Sequence, residues 1–149
     1  MTLDGMKPIG YWLNRTDRAL TRAMDGILAE HGLTRTAWQI LNVVRAGRGT
    51  VADDEVLSVL AANADAAALR AAVRVLLDDG WVNRPAPGRL TLTPEGNRRL
   101  AAAAERVDAF RAASAAGISR DEYRTAVLVL ERMTRNAEGL GAAAAHAGH

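Results

Sequence analysis

Apolar residues recur at helical spacing in six stretches of this chain, and each stretch is bounded by a glycine, a proline or a hydroxyl side chain. The first, residues 8–30, aligns Ile9, Leu13, Leu20, Met24 and Ile27, tolerates Pro8 in its first turn and ends at His31-Gly32. Thr34 offers its hydroxyl as the N-cap of a second helix over residues 35–46, which carries Trp38, Leu41 and Val44 and stops before Gly47 and Gly49. A third helix is predicted over residues 51–62, with Thr50 and Asp53 as a capping box built on a shorter acid and Val56, Leu57 and Leu60 as its stripe. The fourth, residues 65–79, is halted by Gly80. Its spacing buries Leu69, Val73, Leu76 and Leu77 and turns Ala67, Arg70, Ala71 and Arg74 outward.

Alternation then replaces the helical period. Residues 81–84 and 89–93 read as two strands around the turn Pro85-Ala86-Pro87-Gly88. Thr93-Pro94 opens a fifth helix reaching residue 116, with Leu100, Ala104, Val107 and Phe110 as its apolar positions. Beyond Gly117, Ser119-Arg120-Asp121-Glu122 fits the S/T-x-x-E capping box of a sixth helix bearing Tyr123, Val127, Leu130 and Met133, which Gly139 and Gly141 are expected to end. Residues 141–149 are low in complexity and are expected to form a disordered tail.

Two short helices joined by a tight turn and followed by a hairpin have the geometry of a winged helix-turn-helix. The predicted fold class is therefore mainly α with a small β-hairpin wing. Residues 33–93 would form the winged module, and residues 1–30 with 94–140 a helical dimerisation region. The terminal helices carry more apolar face than a small module can cover, and a second copy of the chain is the simplest cover.

Charge sharpens this picture. The net charge is only +2, but residues 61–100 hold six basic groups against four acidic ones, while the flanking blocks are balanced. Two arginines one turn apart, set among alanines, can approach the floor of a DNA major groove about 12 Å wide and bond guanine edges. Arg70 is the candidate for direct base readout, Arg74 for a base or phosphate contact, and Ala67 for contact with a thymine methyl. Arg84 and Arg89 flank the wing turn as phosphate contacts, and Arg35 stands at the positive end of the second helix. The plainer alternative for Arg70 and Arg74 is the solvated face of a surface helix.

Other chemistry finds little support. There is no cysteine, which removes disulfides, thiolate metal sites and thiol sensing together. No nucleophile with its base, paired acids or phosphate-binding loop is evident, so neither an enzyme nor a cofactor is expected. His146 and His149 have no partners at metal-ligand spacing. No apolar run approaches the roughly 18 residues that span a bilayer, and no basic n-region precedes an apolar stretch. A cytoplasmic location away from the membrane is the expectation.

Three stretches resemble the MarR family of winged helix-turn-helix regulators: LTRTAWQIL from Leu33, LLDDGWV from Leu76, and LTLTPEG from Leu90. The order of elements extends the resemblance over nearly the whole chain. It implies that the fourth helix enters the major groove, that the wing contacts the backbone or minor groove, and that helices one, five and six form a homodimer. Two departures stand out. The wing turn is the short Pro85-Ala86-Pro87-Gly88 and not an Asp-x-Arg tip, and Ala66, Ala67 and Ala68 replace the usual Ser and Thr near the start of the reading helix.

The resemblance also implies an effector pocket near the ends of the first two helices, where Tyr11, Trp12, Arg15, His31 and Trp38 would suit a small aromatic or phenolic ligand. Trp12 and Trp38 as ordinary core residues are the alternative. The expected function is a transcriptional regulator that binds an inverted-repeat duplex operator as a homodimer, with such an effector in control. The rival is a winged-helix scaffold for protein or ligand contacts without sequence-specific DNA binding.

Overall fold

The computed structural model describes residues 5–147, which form α1 (Ile9–Glu30), α2 (Arg35–Ala46), β1 (Val51–Ala52), α3 (Asp53–Val59), α4 (Ala66–Asp78), β2 (Val82–Asn83), β3 (Arg89–Leu92), α5 (Pro94–Ser114) and α6 (Arg120–Ala147). The chain divides into two compact units, one reaching to Phe110 and one beginning at Arg111. That division lies inside α5.

Helix starts follow from side chains that accept the first free backbone N–H groups. The Thr34 hydroxyl accepts from the Ala37 N–H at 3.1 Å, and the Asp65 carboxylate accepts from the Ala68 N–H at 2.7 Å. Thr93 accepts from the Gly96 N–H at 2.8 Å and donates its own proton to the Gly80 carbonyl at 2.6 Å, tying the start of α5 to the end of α4.

In the first unit the core gathers Leu28 from α1, Ile40, Leu41 and Val44 from α2, Leu69, Val73 and Leu76 from α4, Trp81, Val82 and Leu90 around the wing, and Leu100, Ala103 and Val107 from α5. Leu77, expected in this set, is only half-buried. The α4 stripe thus spans three positions, and these lock the helix against α2 and β2.

The wing has a third strand that periodicity did not reveal. β3 pairs antiparallel with β2 through Val82↔Leu92 and Asn83↔Thr91, and on its other edge with β1 through Val51↔Leu90 and Ala52↔Arg89. The third helix therefore starts at Asp53 and ends at Val59, not over 51–62, because buried Val51 belongs to the sheet. Thr50 does not cap it; the preceding residue is Ala52, which has no capping side chain. Three acids in the first turn, Asp53, Asp54 and Glu55, suit the positive end of that helix instead.

In the second unit, α6 begins with the expected reciprocal box. Ser119 Oγ accepts from the Glu122 N–H at 3.1 Å, and the Glu122 carboxylate accepts from the Ser119 N–H at 2.9 Å. The end differs from expectation. α6 runs through Gly139 and Gly141 to Ala147, so most of the anticipated tail is helical and only residues 148–149 lie outside the described residues. Four successive alanines, the strongest helix formers, offset a cost of about 1 kcal/mol per glycine.

Candidate nucleic-acid interface

The second helix of the helix-turn-helix presents its outer face unencumbered. With Leu69, Val73 and Leu76 turned inward, Ala67, Arg70, Ala71 and Arg74 are all exposed. Among the described residues neither Arg70 nor Arg74 makes an ion pair or a side-chain hydrogen bond. Arg70 and Arg74 line a groove together with Asp53, Asp54 and Leu57 of α3 and Arg84 and Gly88 of the wing. Three arginines, two from α4 and one from the wing, thus line one groove.

The wing arginines are exposed but held. Arg84 donates to Asp53 Oδ1 at 2.9 Å across 31 positions of sequence. That hydrogen bond, opposed by slight desolvation and reinforced by the attraction between the two charges, raises the Arg84 pKa above its ordinary value. Arg89 donates to Thr50 Oγ1 at 2.8 Å, and Thr91 donates to the Gly49 carbonyl at 2.9 Å, so the loop before β1 is bound to β3 on both sides.

Arg35 stands apart from this groove. It sits in the first turn of α2 with its guanidinium 3.4 Å from Asp25 of α1, while its neighbours Thr34 and Thr36 line a separate cleft with Ala68, Ala71, Ala72 and Val75 of α4.

The five residues expected to line an effector site do not come together within one chain. Tyr11, Trp12 and Arg15 form one cluster: the two rings meet edge to face at 5.2 Å, Arg15 donates to the Tyr11 hydroxyl at 2.8 Å, and its guanidinium lies 5.9 Å from the Trp12 ring centre. His31 caps the far end of the same helix, about 30 Å away at the α-helical rise. Trp38 is buried in the core, whereas Trp12 is 49% exposed, so the core alternative holds for only one of the two.

Sequence reasoning assigned Thr50 and Asp53 to a helix cap and so missed both as wing partners. It also missed Arg99, whose guanidinium stacks 3.8 Å from the ring centre of buried Trp81 and donates to the Asp79 carbonyl at 3.3 Å. None of these contacts has a local pattern, since each joins residues 18 or more positions apart. Among the described residues no cluster of three or more acidic or histidine side chains could hold a metal ion. No described helix is long and apolar enough to cross a membrane.

Comparison with solved structures gives this geometry its context. A MarR-family protein of Mycobacterium tuberculosis in complex with DNA superposes with a TM-score of 0.67 at 26% identity, over 86% of this chain and 98% of that one. The chain has the MarR-family winged-helix fold. A mutant E. coli MarR complexed with operator DNA matches at 21% identity and a TM-score of 0.67, over 85% of this chain and 93% of that one. CouR of Rhodococcus jostii RHA1 bound to p-coumaroyl-CoA matches at 23% identity and a TM-score of 0.67, over 85% and 91%. No protein-family model and no curated protein matches the sequence. In the terms of the MarR fold, α3 and α4 are the helix-turn-helix and β2–β3, braced by β1, is the wing.

Proposed function

We propose that this chain is a sequence-specific DNA-binding transcriptional regulator of the MarR type, acting in the cytoplasm as a homodimer on an inverted-repeat duplex. Two exposed guanidinium groups one turn apart on the outer face of α4, unpaired among the described residues, carry this reading. Arg70 reads a guanine edge in bidentate fashion, Arg74 takes a neighbouring base edge or phosphate, and Ala67 meets a thymine methyl. Arg84 and Arg89 contact phosphate from the wing, and Arg35 adds a phosphate contact at the start of α2. The DNA complexes of the M. tuberculosis and E. coli proteins support DNA binding as the function.

Dimerisation is supported by exposed apolar side chains on each unit: Ile9, Leu13 and Leu20 on α1, and Tyr123, Val127 and Met133 on α6. A two-fold dimer would set the two reading helices about 34–36 Å apart, one turn of duplex. A small aromatic or phenolic effector completes the reading, supported by the p-coumaroyl-CoA complex of CouR and by the Tyr11–Trp12–Arg15 cluster as one wall of a pocket. Release from DNA then requires that the ligand bind two arrangements of the dimer with different affinity.

Selection of random duplexes by the purified chain tests the reading. Enrichment of a palindrome with half-sites one helical turn apart is expected. Recovery without any sequence preference would instead favour a scaffold whose alanine-rich helix selects no DNA.

A further inference from the structure

Of the four arginines on α4 and the wing, Arg70 and Arg74 have no polar partner among the described residues and Arg89 is held by the uncharged Thr50. Arg84 alone is held by a carboxylate. We propose that Asp53 is an affinity-setting residue of the nucleic-acid interface, its carboxylate standing on Arg84 in the place of a DNA phosphate, so that the pair must open before the wing engages the duplex. This inference rests on the function proposed above and adds to it an internal competitor for the nucleic acid.

Both ends of the pair are anchored to the same small sheet. Asp53 directly follows β1, its backbone N–H donates to the Gly88 carbonyl at 3.0 Å, and β1 is registered on β3 through Ala52↔Arg89. Arg84 directly follows β2 on the opposite edge of β3. The contact is thus a built bridge across the wing and not a chance meeting of two long surface side chains. Both partners line the groove that Arg70 and Arg74 also line, the surface a phosphate backbone would have to reach.

The pair is accessible to exchange. The Arg84 and Asp53 side chains are 38% and 32% exposed, and a solvated pair of this kind is a weak competitor, lowering DNA affinity by about two- to fivefold. After opening, Arg84 displaces a counterion from the duplex, but the bared Asp53 carboxylate beside phosphate takes one up, so the pair gives no net release while Asp53 is present. Asp54 supplies an internal control, because it lines the same groove and, among the described residues, pairs with no arginine.

The test titrates the duplex selected by the wild-type chain with Asp53→Asn and Asp54→Asn, each made in the wild-type chain and in an Arg84→Ala background. Asp53→Asn is expected to tighten binding about two- to fivefold and to steepen the slope of log affinity against log salt by about 0.9, one further counterion. Asp54→Asn should tighten binding less and leave the slope unchanged, and without Arg84 the two substitutions should act alike. Equal effects of both in the wild-type chain, or unchanged or weaker binding by Asp53→Asn at an unaltered melting temperature, would overturn the inference. Asp53→Ser, which keeps a side-chain oxygen in the first turn of α3, must shift binding the same way if asparagine disturbs that turn; failure of both to tighten binding also overturns it. A wild-type chain that selects no duplex defeats the proposed function and this inference together, whereas normal selection with no gain in Asp53→Asn defeats this inference alone.

Discussion

The backbone carbonyl of Trp81 fills the space in which a side chain on Gly96 would begin. A Cβ placed at residue 96 overlaps that oxygen and lies 2.8 Å from the carbonyl carbon and 2.9 Å from the Cα of Trp81, none of which can rotate away. The first turn of α5 thereby packs directly on the backbone that leads into the wing. Gly96→Ala is expected to lower stability by about 3 kcal/mol, the upper range for overpacking, because relief requires moving the helix off buried Trp81. Chemical denaturation of the two proteins measures this, and an unchanged midpoint would mean that α5 approaches Trp81 less closely.

Arg99 covers the other side of the same residue. Its guanidinium stacks on the Trp81 ring and donates to the Asp79 carbonyl at the end of α4, so it joins α4, the wing and α5. Arg99→Ala should cost about 1–2 kcal/mol and red-shift the tryptophan emission, while Arg99→Lys, which keeps the charge but loses the flat stack, should recover only part of the loss. Denaturation followed by fluorescence gives both readouts.

Much of this architecture is written in short-range signals. Thr34 with Gly47 bounded α2, Thr93-Pro94 opened α5 and Ser119 with Glu122 opened α6, because each of these caps is satisfied within four residues. β1 escaped notice because two residues cannot display a period of two, and its pairing with β3 spans 37 to 39 positions. The same gap hid Asp53 as the partner of Arg84, since three acids at a helix start already have a sufficient local reason to be there. At the other end of the chain, Gly139 and Gly141 looked like a stop, but the alanine run after them outweighs two glycines.

Glu122 makes the start of α6 sensitive to pH. Its hydrogen bond from the Ser119 backbone, with a further bond involving the Ser119 side chain, holds the carboxyl below the ordinary glutamate value. The contribution of the cap is therefore complete above the ordinary glutamate range and is lost as pH falls through the lowered value. An NMR titration should show the Ser119 amide and the Glu122 carboxyl shifting together at a midpoint below that of an unstructured glutamate. Glu122→Gln should abolish that acid-linked shift in the Ser119 amide.

The apolar side chains left on α6 make a prediction about mass. Val127 is 47% and Tyr123 60% exposed, more apolar surface than one helix leaves to water without a partner. The wild-type chain of 15.9 kDa is expected to sediment at about twice that mass, and Val127→Asp to shift the distribution toward the single chain. Sedimentation across a range of concentrations checks both statements, and identical behaviour of the two proteins would place the interface elsewhere.

The most direct measurement of the central claim is the affinity of wild type and Arg70→Ala for the selected duplex and for variants changed at each base pair. Losing one bidentate arginine should weaken binding to the preferred sequence by about 1–3 kcal/mol, erase discrimination at one base pair of each half-site, and leave the melting temperature unchanged. Full affinity and an intact preference in Arg70→Ala would contradict the assignment of the outer face of α4 as the surface that reads DNA.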